Sequence, residues 1–98
     1  MSIKIIMKDN KYFYLKNIFN KDNNLINIIN YINNYKQTNY KCSDIIYLEL
    51  YNCNNIKHIP KCFSNLYSIK IFNCKYINHI PKINSLKYIE FVKLNNYK

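Results

Sequence analysis

The sequence predicts an α/β fold: a short right-handed solenoid of parallel strands, closed on its N-terminal side by a β-hairpin plus a helix. Three observations lead to it. The apolar pattern Ile45-x-x-Leu48-x-Leu50-x-x-Cys53-x-x-Ile56-x-x-Ile59-Pro60 returns as Leu66-x-x-Ile69-x-Ile71-x-x-Cys74-x-x-Ile77-x-x-Ile80-Pro81, and a third copy starts as Leu86-x-x-Ile89-x-Phe91-x-x-Leu94. The step is 21 residues from Leu48 to Ile69 and 20 from Ile69 to Ile89, a period at which one strand-and-return unit stacks on the next. Upstream, Ile3, Ile5 and Met7 recur at every second residue, and Leu25, Ile28, Ile29 and Ile32 recur at helical spacing.

The elements follow in chain order. Residues 2–8 and 11–17 read as the arms of a hairpin. Lys8-Asp9-Asn10-Lys11 supplies its turn chemistry, and Tyr12-Phe13-Tyr14-Leu15 makes the return. Asp22 is the candidate N-cap of the helix, whose apolar face is Leu25, Ile28, Ile29 and Ile32 and whose polar face is Asn23, Asn27, Asn30 and Asn34. Gln37 to Lys41 is a polar connector, and Cys42-Ser43-Asp44 leads into the first repeat strand. Residues 1–41 are therefore expected to be an N-terminal cap over the apolar end of the first repeat. Residues 42–98 are the repeats, two full and one partial, within the same structural unit.

Within each repeat a short strand lies parallel to its neighbour, with residues 48 and 50, 69 and 71, and 89 and 91 pointing inward. Cys53 and Cys74 turn the chain away from the strand. Ile56, Ile59, Ile77 and Ile80 fold back over the core, and Pro60 and Pro81 fix the convex arc, where no ladder hydrogen bonds are required. After Phe91 only Val92 to Lys98 remain, which leaves a strand edge to be covered by a partner chain or by the tail, or marks a shortened copy of a longer repeat protein.

From Ile45 to Leu94 the pattern resembles leucine-rich repeat proteins, and its composition with the Cys and Ile-Pro ladders looks most like those of AT-rich giant DNA viruses of the mimivirus kind. A related short repeat with a Phe-Asn-Ile-Pro signature is hinted at by Phe72-Asn73 and Ile80-Pro81. The resemblance implies that the Cys53 and Cys74 position, Asn or Cys in that family, sits inside the bend near backbone groups. It also implies a non-enzymatic binding surface on the concave strand face, without naming what is bound.

Charge and composition narrow the function. The formal net charge is +10, but Gly, Ala, Arg and Trp are all absent while Asn, Ile, Lys and Tyr dominate. Those four have AT-rich codons, so base composition accounts for the lysines. A protein selected to grip phosphate or guanine would be expected to use Arg for bidentate contacts. Nucleic-acid binding by surface lysines such as Lys57, Lys61, Lys75 and Lys82 is thus the second alternative. No secretory signal or membrane-length apolar run is present, which predicts a cytoplasmic protein, in the host cell if the chain is viral.

The four cysteines, at 42, 53, 62 and 74, are expected to be reduced. Cys53 and Cys74 share a repeat position, and Cys62 aligns with the apolar core site Ile83. Stacked Cys53 and Cys74 would have Cα atoms about 5 Å apart, a distance a bridge can span on oxidation. His58 and His79 lie between inward isoleucines and so face out, away from the cysteines, which argues against a zinc site. The only acids are Asp9, Asp22, Asp44, Glu49 and Glu90, each explained by a turn, cap or strand, so no catalytic constellation, metal or cofactor is expected.

Aligned strands specify the concave surface. One lateral row holds Tyr47, Ser68 and Tyr88, the next Glu49, Lys70 and Glu90, and the last Tyr51, Phe72 and Val92. Adjacent strands bring these side chains to about 5 Å, so Glu49, Lys70 and Glu90 are expected to form a lateral ion ladder. The row is net negative, unlike a phosphate groove, and the aromatics beside it have the composition of a protein-binding hot spot. The expected partner is an unidentified protein at this face. A structural or dimerising role, as a homodimer through strand 86–92, is the first alternative.

Overall fold

The computed structural model describes residues 1–16 and 24–93. Its strands are β1 (Ser2–Met7), β2 (Tyr12–Lys16), β3 (Ile45–Tyr51), β4 (Ser68–Phe72) and β5 (Tyr88–Val92), with one helix among the described residues, α1 (Asn27–Lys36). The strands make a single mixed sheet in the order β2-β1-β3-β4-β5. The β1–β2 and β1–β3 pairs are antiparallel, and β3–β4–β5 are parallel, so the molecule is α/β.

Alternation along the strands decides which face is buried. Ile5, Leu48, Ile69 and Ile89 stand opposite one another across four strands, as do Ile3, Leu50, Ile71 and Phe91. Phe13 and Leu15 of β2 extend the same two rows. Helix α1 adds Ile28, Ile29 and Ile32 to this core, Leu25 just before it adds another side chain, and the return segments add Ile56, Ile59, Phe63 and Ile77. Burial of each such side chain contributes about 1.5–3 kcal/mol, before the entropy of ordering it.

The pattern Ile45-x-x-Leu48 places two apolar residues an odd number apart, which strict alternation would send to opposite faces. A register shift between Ile6 and Met7 resolves this. Ile6 pairs with Tyr47 but Met7 pairs with Ile45, and both Met7 and Ile45 are fully buried. The bulge lets β3 turn one extra side chain inward at its start.

Turns here are made without glycine. Asn10, Gln37, Asn52 and Asn73 take left-handed backbone conformations, with φ of 67°, 58°, 55° and 52°, a region Asn tolerates better than most residues. Gln37 ends α1, its backbone N–H donating to the Asn33 carbonyl. The Asn33 side chain then holds the connector, donating to the Tyr40 carbonyl and accepting from the Tyr40 N–H and the Thr38 hydroxyl, each at 2.8 Å. The expected N-cap, Asp22, lies outside the described residues. Just before the helix, Asn24 Oδ1 accepts from the Ile26 N–H at 3.1 Å.

Two side chains differ from expectation. Cys62 is exposed, and the neighbouring Phe63 is the buried residue. The second repeat unit is one residue shorter than the first, and the loss falls between Pro81 and Ile83. Counted back from the strands, Phe63 matches Ile83: Leu66 N–H bonds to the Phe63 carbonyl as Leu86 N–H bonds to that of Ile83, at 3.2 and 3.1 Å. Cys62 is the additional residue. At the other end, Ile89 is 57% exposed, whereas its register partner Ile69 is 1% exposed.

Candidate interaction surface

The face of the sheet opposite the core carries three lateral rows. Tyr14, Lys4, Glu49, Lys70 and Glu90 form the middle one; Tyr12, Ile6, Tyr47, Ser68 and Tyr88 form one flank. Lys16, Ser2, Tyr51, Phe72 and Val92 form the other. All eight candidate residues (Tyr47, Glu49, Tyr51, Ser68, Lys70, Phe72, Tyr88 and Glu90) therefore share one face. The hairpin widens it by two strands, a contribution that reading the repeats alone missed. The alternation of Ser2, Lys4 and Ile6 with the buried Ile3, Ile5 and Met7 is the signal that assigns them to this face.

The charges pair differently from the expected ladder. Lys4 Nζ lies 3.9 Å from Glu49 Oε2, and Lys70 Nζ lies 3.9 Å from Glu90 Oε1. Antiparallel pairing of β1 sets Lys4 directly opposite Glu49, so Glu49 takes its ion-pair partner from the hairpin. Glu49 is only 8% exposed. Burial of a carboxylate requires compensating partners, and besides Lys4 it accepts the Tyr51 hydroxyl at 3.4 Å and the Tyr47 hydroxyl.

The Tyr51 ring is the centre of this arrangement. Lys4 and Lys70 approach its centroid at 5.7 and 5.6 Å, and its ring meets that of Phe72 at 5.7 Å. Such cation–π contacts hold lysine stems flat over the sheet. The hydrogen bond with Tyr51, and then Glu90, raise the Lys70 ammonium above the usual lysine value. Tyr47 is pushed up to about 12, first by desolvation and then by its hydrogen bond to Glu49. Tyr88, hydrogen-bonded to Tyr67, is also raised, and their rings meet edge to face at 5.3 Å.

Ser68 is small, and the row between Tyr47 and Tyr88 dips there into an open hollow of about 330 Å3 backed by Glu49, Lys70 and Glu90. A second hollow, of about 350 Å3, lies between β2 and α1, and among the described residues it is lined by tyrosines, Lys16 and Lys36 with Phe13, Leu15 and Ile32. His58 and His79 are exposed and Cys53 and Cys74 buried. Among the described residues no three His, Cys, Asp or Glu side chains gather as metal ligands.

The bends after β3 and β4 are built around sulfur. Cys53 Sγ contacts the carbonyls of Ser2 and Tyr51 at 3.6 and 3.5 Å, and Cys74 Sγ contacts those of Leu50 and Phe72 at 3.7 and 3.6 Å. Contact with the Cys74 thiol and then burial raise the Cys53 thiol far above its usual range. Compared with family models, with curated proteins and with solved structures, the chain gives no match. Among the described residues no helix is long and apolar enough to cross a membrane.

Proposed function

We propose that the chain is a leucine-rich repeat module that acts without catalysis in the cytoplasm, binding another protein through the outward face of its sheet. One observation carries the reading: Tyr12, Tyr14, Tyr47, Tyr51, Phe72 and Tyr88 lie on one face across five strands, interleaved with two ion pairs. Amphipathic rings beside paired charges give large contact area with few rotamers to freeze, the composition of binding hot spots. The paired charges leave little net field on the face, which favours a protein over a polyanion.

The test is capture of partners from nuclease-treated cell lysate by the wild-type chain and by Tyr51→Ala/Phe72→Ala, with circular dichroism to verify folding of the variant. A protein held by the wild type, lost by the double variant and kept by Lys57→Ala/Lys61→Ala supports the reading. Equal capture by all three, or capture abolished by nuclease, overturns it.

A second reading rests on Ile89. It continues the row of the buried Ile5, Leu48 and Ile69, and among the described residues β5 is an edge strand of the sheet, the kind of edge that can pair with a second copy. Mass that rises with concentration in the wild type but not in Ile89→Lys, measured by analytical ultracentrifugation, favours self-association. A concentration-independent monomer rules it out.

A further inference from the structure

We propose that the β2 edge of the sheet is a peptide-docking site, which takes an extended acidic segment of a partner protein as an additional strand. β2 ends the strand order β2-β1-β3-β4-β5, so among the described residues it is an edge strand. Its residues, Tyr-Phe-Tyr-Leu-Lys, include no proline and no inward-pointing charge, two of the devices that blunt such edges. The inward side chains Phe13 and Leu15 are half-buried, whereas Ile5 and Ile3 opposite them on β1 are fully buried. The apolar layer therefore runs past β1 and stays partly open at β2.

The hollow between β2 and α1 defines the kind of ligand. Every residue of Tyr12–Lys16 lines it. Side chains alternate between the two faces of a strand, so a pocket against one face meets every second residue. A pocket lined by consecutive residues runs along the strand's edge, where main-chain groups of alternate residues point outward. An extended peptide laid there makes ladder bonds to β2 and turns every second side chain into the hollow. The opposite wall is α1. Ile32 is its apolar part, the Tyr31 and Tyr35 rings stack at 6.0 Å with planes 13° apart, and Lys36 Nζ stands 5.1 Å from the Tyr35 centroid. The charged side chains among the described lining residues, Lys16 and Lys36, are both positive, one on each wall. Apolar residues directed at Phe13, Leu15 and Ile32, flanked by carboxylates, complement this lining.

The test measures binding of the fluorescein-labelled peptide Glu-Glu-Val-Thr-Val-Glu-Glu to the full chain by fluorescence anisotropy, and maps it by amide chemical shifts. Either strand direction of this peptide sets Val on one face and carboxylates at both ends of both faces. Two further peptides are methylated on backbone nitrogens, one on both Val, the other on Thr and the second Glu. Only one of these sets faces β2, so one methylated peptide should bind about tenfold more weakly than the parent and the other should bind like it. Lys16→Glu/Lys36→Glu, with folding verified by circular dichroism, should also weaken the parent peptide about tenfold. Tyr51→Ala/Phe72→Ala and Lys57→Ala/Lys61→Ala should bind it as the wild type does, which separates this edge from the outward face and from general attraction to lysine. No binding, equal affinity of the two methylated peptides, an equal loss in Lys57→Ala/Lys61→Ala, or shifts centred on Tyr88–Val92 instead of Tyr12–Lys16 overturns the proposal.

Discussion

The backbone N–H of Cys53 donates to the sulfur of Cys74, 3.4 Å away and 21 residues later in the chain. The same sulfur lies against the Leu50 and Phe72 carbonyls, so one buried thiol serves the bends of two successive strands. Cys74→Ala leaves the Cys53 N–H without this partner and opens a small void, and should cost about 1–3 kcal/mol. Cys62→Ser, at an exposed position, should change stability by less than about 0.5 kcal/mol. Urea unfolding of the two reduced variants measures the difference.

Asn52 and Asn73 follow β3 and β4 in left-handed conformations, and Asn73 Nδ2 donates to Asn52 Oδ1 at 2.8 Å. A β-branched residue at either site meets the full steric penalty of that region. Asn73→Val should therefore lose about 1–2 kcal/mol for the backbone alone. Asn73→Gly should lose less, since it relieves the backbone while giving up only the side-chain bond. Thermal melts of both variants decide it, and equal losses would assign the effect to the hydrogen bond.

Ile69 and Ile89 are register partners with opposite burial. Ile69→Ala removes packed side-chain volume and should cost about 2–5 kcal/mol. Ile89→Ala should cost well under about 1 kcal/mol at low protein concentration. A large cost at Ile89 that grows with concentration would indicate that the edge is covered by another copy.

Alkaline pH should weaken the fold through two tyrosines. Tyr40 is pushed up to about 12, first by desolvation and then by donating its hydroxyl to Asp9 at 2.9 Å, and Tyr47 reaches about 12 beside Glu49. A folded value above the unfolded one, near 10, means the native state holds its proton longer. That stability is complete below pH ~10 and is lost as pH rises toward ~12. Tyr47→Phe should flatten the decline in melting temperature over this window. An unchanged slope in Tyr47→Phe and Tyr40→Phe would refute the assignment.

Much of the sheet was legible because a period of about 21 residues fixes which side chains line up. Tyr47, Ser68 and Tyr88 could be set in one row without coordinates, and Leu48, Ile69 and Ile89 in another. What failed was local or between segments. Matching Cys62 to Ile83 fails because a one-residue deletion inside an irregular segment leaves no apolar period to count by. The pairing of Lys4 with Glu49 depends on which strand lies beside β3 and in which direction, and neither follows from periodicity. The exposure of Ile89 depends on what lies beyond β5, whereas its alternation is indistinguishable from that of Ile69.

The side-chain ties between units run mostly in one direction. Cys53 Sγ reaches back to Ser2, Asn65 to Ser43, Asn73 to Asn52, Ser85 Oγ to Leu66 and Lys93 Nζ to Lys75. Like roof shingles, each course is fastened over the one laid before it. Among the parallel strands, β5 can lift with only its own fastenings broken, while freeing β3 from that side requires the later courses to come away first. Tension applied across the sheet should therefore peel it in chain-reversed order, leaving the hairpin and β3 as the last piece to let go.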